Sequence, residues 1–126
     1  MSDPHAILDL EHLSTMTMGD ASIAAEVLEI FKGQADTWGR MLDPAAPQAQ
    51  WADAAHTLKG AALGIGAGRL AEQCRLAEEM GRSGDPVSEA QAALMLNDVR
   101  AVLTEALDAV HAAIHSLELE APFRAA

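Results

Sequence analysis

The stretch Ala55-His56-Thr57-Leu58-Lys59-Gly60-Ala61-Ala62-Leu63-Gly64-Ile65 sets one imidazole on a helical pattern, with a lysine three residues on and glycines four and eight residues on. A neutral imidazole is a competent nucleophile near neutral pH, the unperturbed pKa of the side chain being about 6.5. A glycine inside a helix costs about 1 kcal/mol relative to alanine, so two of them close to a histidine imply that open space beside the ring outweighs helix stability. Something large must approach His56.

The helical wheel gives that approach a direction. With Trp51, Ala55, Leu58, Ala62 and Ile65 as the buried arc, a rotation of about 100° per residue puts His56 roughly 140° from its centre, facing water. Gly60 then sits one turn on, Ala52 one turn back, and Leu63 projects two turns ahead within roughly 20° of the same direction. The imidazole is expected in a clearing of small side chains with an uncovered leucine nearby, and Lys59 reaches the clearing from its edge. An exposed helix histidine is ordinarily a solvated surface residue. Gly60, Lys59 and Leu63 around one ring have no shared structural explanation, although Gly64 alone could belong to the helix end.

Other chemistry-bearing residues carry less. His111 and His115 are spaced i,i+4, as two imidazoles on one metal would be, with Asp108 and Glu118 beside them. They fall roughly 120° and 160° from the centre of their apolar stripe, facing solvent, and lack a third and fourth ligand, so no metal site is expected. Cys74 occupies a core position with no activating pattern and reads as packing. No Walker glycine loop, kinase glycine motif or acidic metal cluster offers an ATP site.

Punctuation along the chain defines the elements that must position His56. A short segment around Ile7 to Leu13 comes first. Asp20 then caps a helix carrying Ile23, Val27, Phe31, Trp38 and Leu42, which ends near Asp43-Pro44. The His56 segment starts after Pro47 and stops at the Gly64 to Gly68 cluster. The next carries Leu70, Cys74, Ala77 and Met80 and ends at Gly81 to Gly84. Asp85-Pro86 is expected to open the last helix, whose stripe is Met95, Val99, Val102, Ala106, Val110, Ala113 and Leu117.

Aromatic residues make up 3% of the chain and hydrophobic ones 50%, with alanine, leucine and methionine plentiful, which favours helix over strand. Short connections favour antiparallel neighbours. The expected fold is all-α: an antiparallel up-and-down four-helix bundle with a short additional N-terminal helix, in one domain spanning 1–126, with a core over about 20–118 and a frayed tail over 119–126. Four helices close a core without a second copy, so a monomer is expected.

Eight basic residues against 19 acidic ones, a net charge of −11, argue against nucleic acid and anionic lipid as partners. The apolar runs are too short to span a bilayer, Met1 to His5 lacks a leader pattern, and a single cysteine fits a reducing compartment, so a cytoplasmic protein is expected.

These residues resemble the histidine-containing phosphotransfer (HPt) domains of two-component phosphorelays. The signature A-H-x-L-K-G is present as Ala55-His56-Thr57-Leu58-Lys59-Gly60, followed by Ala61-Ala62, Ile65-Gly66-Ala67 and Leu70, with Cys74, Glu78 and Arg82 at positions where members often carry cysteine, Gln or Glu, and a basic residue. Ala61 and Ala62 stand where serines are common and Ala77 where leucine is frequent, so any hydrogen bond from those serines is absent.

The resemblance implies that His56 accepts a phosphoryl group, attacking through Nε2 while an acceptor holds Nδ1–H. Ala71, Arg75, Glu78 and Arg82 share one flank of their helix, which makes Glu78 the candidate orienter, while Lys59 and Arg82 are the candidate groups to balance phosphoryl charge. An ordinary Glu78–Arg82 surface pair is the competing reading. The partners the resemblance implies are response-regulator receiver domains and a hybrid histidine kinase. A receiver would bring its own Mg²⁺ and aspartyl phosphate and dock over Ala52, Gly60, Leu63 and Gly64, with no cofactor bound by this chain. The alternative is an adaptor that binds receivers or kinases through the same surface without turnover.

Overall fold

The computed structural model describes residues 3–120 and contains five helices, α1 (Leu10–Met16), α2 (Ala21–Gly39), α3 (Gln48–Ile65), α4 (Gly68–Gly81) and α5 (Glu89–Glu120), with no strand among the described residues. Helices α2 to α5 form the expected up-and-down bundle: each packs on its chain neighbours, and α5 closes the ring against α2. The short α1 and the segment before it lie across the α3–α4 junction, where Asp9 N–H donates to the Gly66 carbonyl (2.9 Å) and Arg69 N–H to the Ala6 carbonyl (2.9 Å). No helix among the described residues is long and apolar enough to cross a membrane.

The element ends follow local chemistry. Asp9 caps α1 by accepting from His12 N–H, and Asp20 caps α2 by accepting from Ser22 and Ile23 N–H. Helix α3 ends in a glycine turn: Gly66 takes a left-handed φ of 82°, its N–H reaches the Leu63 carbonyl, and Ala67 N–H reaches that of Ala62 at 2.8 Å. This paired pattern answers two carbonyls that the helix would leave unsatisfied, and glycine adopts the conformation without a side-chain clash.

Three boundaries and one stripe differ from the sequence reading. The N-terminal helix starts at Leu10 rather than near Ile7, and α2 closes at Gly39, four residues before Asp43-Pro44. The last helix starts at Glu89 rather than at Asp85-Pro86, because Ser88 and Gln91 cap each other: Gln91 N–H donates to Ser88 Oγ (3.1 Å) and Ser88 N–H to Gln91 Oε1 (3.1 Å). Leu119 and Glu120 are still helical, and the rest of the expected frayed tail, 121–126, lies outside the described residues.

On α2 the buried stripe is Ala21, Ala24, Leu28, Phe31 and Ala35, while Ile23 is exposed and Val27 half-buried. The i, i+3, i+4 row through Leu28 and Phe31 takes in Ala21, Ala24 and Ala35 on the face toward α3 and α5. The stripes of α3, α4 and α5 match the sequence reading in all but their outermost members: Met80, Met95 and Leu117 are half-buried.

Candidate functional site

The site begins with a close approach of α3 and α4. A Cβ on Gly81 would lie 2.7 Å from Ala52 Cβ and 2.8 Å from Trp51 Cζ3, so only glycine lets the last turn of α4 settle on the first turns of α3. Trp51 and Ala52 are fully buried beneath it. Gln48 reinforces the contact, donating from Nε2 to the Gly81 carbonyl (3.0 Å) and the Asp85 carbonyl (3.1 Å) while its Oε1 accepts from Val87 N–H (2.9 Å). One turn back along α4 from Gly81, this approach delivers Glu78 to His56.

Glu78 Oε2 lies 2.7 Å from His56 Nδ1, and Glu78 Oε1 accepts from Lys59 Nζ at 2.7 Å. Arg82 Nε donates to Glu78 Oε2 (3.1 Å), and Arg82 Nη2 donates to Asp53 Oδ1 (2.8 Å). The Glu78 side chain is only 14% exposed, whereas that of His56 is 59% exposed. The Lys59 ammonium, with the Arg82 and His56 donors behind it, holds the Glu78 carboxyl well below the usual range, at about 2, against a burial effect that acts the other way. An ionised carboxylate only accepts, so in the neutral ring the hydrogen sits on Nδ1 and the Nε2 lone pair is free.

A depressed carboxylate makes stability depend on pH in one direction. The contribution of Glu78 is fully present above its ordinary value of 4.5 and is lost as pH falls from there toward 2. Discounted for the exposure of its partners, it amounts to about 1–2 kcal/mol. Urea titrations at pH 6 and pH 3 should show this loss in the wild type and a flatter pH dependence in Glu78→Gln.

The structure brings His56, Lys59, Glu78 and Arg82 into one cluster, with Arg82 touching Glu78 rather than the imidazole. Gly60 and Gly64 are exposed on the same helix, a Cβ on either would meet nothing within 4 Å, and Leu63 is 54% exposed. Ala52 departs from the sequence reading: it is buried against Gly81 and offers no docking surface. The wheel allows α3 a narrow buried arc, whereas α3 packs on both α2 and α4, which widens that arc to include Ala52 and Ala54.

Ala71 is also buried, and Arg75 is engaged by Glu72 and Glu79 along its own helix. The Cys74 thiol is buried and pushed up to about 12 by that burial, which leaves it a packing residue. His111 and His115 lie exposed one turn apart, and no group of three or more His, Cys, Asp or Glu side chains that could hold a metal occurs among the described residues.

Sequence reasoning missed Asp53 and Gly81. Asp53 had a signal, a carboxylate one turn before His56 on the same face, but its partner Arg82 stands 29 residues away. Gly81 read as a helix terminator, and its close packing depends on what lies across from it.

The family model described as Hpt domain matches residues 21–113. The crystal structure of the histidine phosphotransferase ShpA from Caulobacter crescentus superposes with a TM-score of 0.73 at 36% identity, covering 92% of this chain and 98% of that one. No curated protein matches the chain. With the family model matched from the start of α2 well into α5, and a relative of this identity sharing nearly the whole fold, the chain belongs to the Hpt domain family, the histidine phosphotransfer domains of phosphorelays.

Proposed function

We propose that this chain carries a phosphoryl group on His56 Nε2, accepting it from the phospho-aspartate of a receiver domain and passing it to another receiver. The observation that carries this reading is the division of labour on one ring: Nδ1 is held by Glu78 at 2.7 Å while the side chain stays 59% exposed. The solved relative is itself a histidine phosphotransferase.

Phosphoryl transfer passes through a loose transition state, so the acceptor chiefly needs an aligned nucleophile and nearby positive charge. Glu78 fixes the ring and its tautomer, and stabilises the positive charge the ring acquires when Nε2 is phosphorylated. Lys59 supplies positive charge beside the ring. The receiver brings the aspartyl phosphate and its Mg²⁺, and docks over Gly60, Leu63 and Gly64.

Incubation of the purified chain with receiver domains charged from radiolabelled acetyl phosphate tests this directly. Acid-labile, base-stable label on the chain is the expected result. A chain that binds these receivers yet stays unlabelled would be an adaptor, and the carrier assignment would fall.

Gly60 tests the docking surface separately. Because a Cβ there meets nothing within 4 Å among the described residues beyond its own helix backbone, Gly60→Ala should stabilise the fold by about 0.5–1 kcal/mol. The same methyl intrudes where the receiver must sit, so transfer should slow even as the melting temperature rises. Faster or unchanged transfer would remove Gly60 from the interface.

A further inference from the structure

Both cations near His56 are already engaged by carboxylates. Lys59 Nζ is on Glu78 Oε1 at 2.7 Å, and Arg82 bridges two acids, Nε on Glu78 Oε2 at 3.1 Å and Nη2 on Asp53 Oδ1 at 2.8 Å. Asp53 stands one helical turn before His56 on α3, so the two share a flank and sit a few ångströms apart at the level of their Cβ atoms. Its side chain is 65% exposed, as an ordinary surface pair would be, and such pairs contribute little to stability. Its partner is nonetheless the second cation of the phosphoacceptor cluster, so Asp53 and a phosphoryl group on His56 would compete for one guanidinium.

Resting on the carrier reading above, we propose that Asp53 is a positioning residue that holds Arg82 off the phosphoryl group and thereby keeps phosphorylated His56 ready to give its phosphate up. In the transfer, the Nε2 lone pair forms the N–P bond as the bond from phosphorus to the donor's aspartyl oxygen breaks. The electron pair of that bond leaves with the oxygen as a carboxylate. Nδ1 keeps its hydrogen on Glu78, so the ring becomes a cation bearing a dianionic phosphoryl group.

The new oxygens attract the Arg82 guanidinium, and a bidentate arginine–phosphoryl contact would deepen the phosphohistidine state. Asp53 competes for that guanidinium. A carrier that must pass phosphate onward gains from this competition, because a phosphoryl group bound too firmly does not leave.

The test is an equilibrium, read as the fraction of label on His56 after a charged receiver and the chain have exchanged to constancy. Asp53→Asn should raise the equilibrium constant for phosphorylated His56 about two- to fivefold, the scale of one exposed charge interaction, with the melting temperature unchanged. Asp53→Glu should return it toward wild type, and in an Arg82→Gln background Asp53→Asn should have no effect.

An equal rise in the Arg82→Gln background would mean that Asp53 acts by direct repulsion, and would overturn the holding role. An unchanged or lowered constant in Asp53→Asn, with His56 still labelled, would overturn it too while leaving the carrier function intact. A wild-type chain that takes no label from any receiver would overturn both.

Discussion

His56→Gln should fold as the wild type does and take up no phosphate. Glutamine has no ring nitrogen to form the N–P bond, so the loss is complete rather than graded. The fold is indifferent for three reasons. The His56 side chain is largely in solvent, glutamine is a better helix former, and Glu78 keeps Lys59 and Arg82 when the imidazole is removed. No buried acceptor is left unsatisfied, and the change in stability should stay within about 0.5 kcal/mol. Circular dichroism and a urea midpoint check the fold, and radiolabel transfer from a charged receiver checks the chemistry. Label retained on the variant would move the acceptor away from His56.

Trp51→Ala should produce the largest loss of stability. Trp51 is 1% exposed in the core between α3 and the last turn of α4, and its indole Cζ3 lies 2.8 Å from where a Cβ on Gly81 would be. Removing a buried tryptophan side chain costs about 3–5 kcal/mol through lost burial and the cavity left behind. Against the 5–15 kcal/mol that holds a typical domain folded, that is a large share, and the urea midpoint should fall accordingly. The cavity would also loosen the α3–α4 contact that delivers Glu78, so the molecules that remain folded should transfer phosphate more slowly. A midpoint within experimental error of wild type would mean that the Gly81 approach does not depend on Trp51.

The two variants separate chemistry from the scaffold that positions it, and the sequence spoke to these two levels unequally. The histidine, its lysine and the open glycine face are all local to α3, and rotation along one helix places them without knowledge of any neighbour. Glu78 was reachable as a candidate because it shares a flank of α4 with Arg82. That flank turns to His56 only because Gly81 has no side chain, and the packing partner of Gly81 stands about thirty residues earlier in the chain.

The same distinction explains the misplaced residues. A wheel with one narrow buried arc turns Ala52 to solvent, whereas α3 packs against two helices and buries it. On α2, Ile23 and Val27 lie off the inward row that Leu28 and Phe31 share with Ala21, Ala24 and Ala35, and which row turns inward depends on the packing of α2 against α3 and α5. The start of α5 went to the Ser88–Gln91 cap, a reciprocal pair of hydrogen bonds, over the Asp85-Pro86 signal.

What the sequence by itself determined is the set of helices, the outward direction of His56 and the space left open beside it, because each follows from periodicity and propensity within one segment. Only the tertiary structure decided that Glu78 meets Nδ1, that Asp53 and Arg82 join the cluster, and that Ala52 is buried. Those outcomes depend on how closely two helices approach, which is fixed by the side chains on both and is invisible from either one alone.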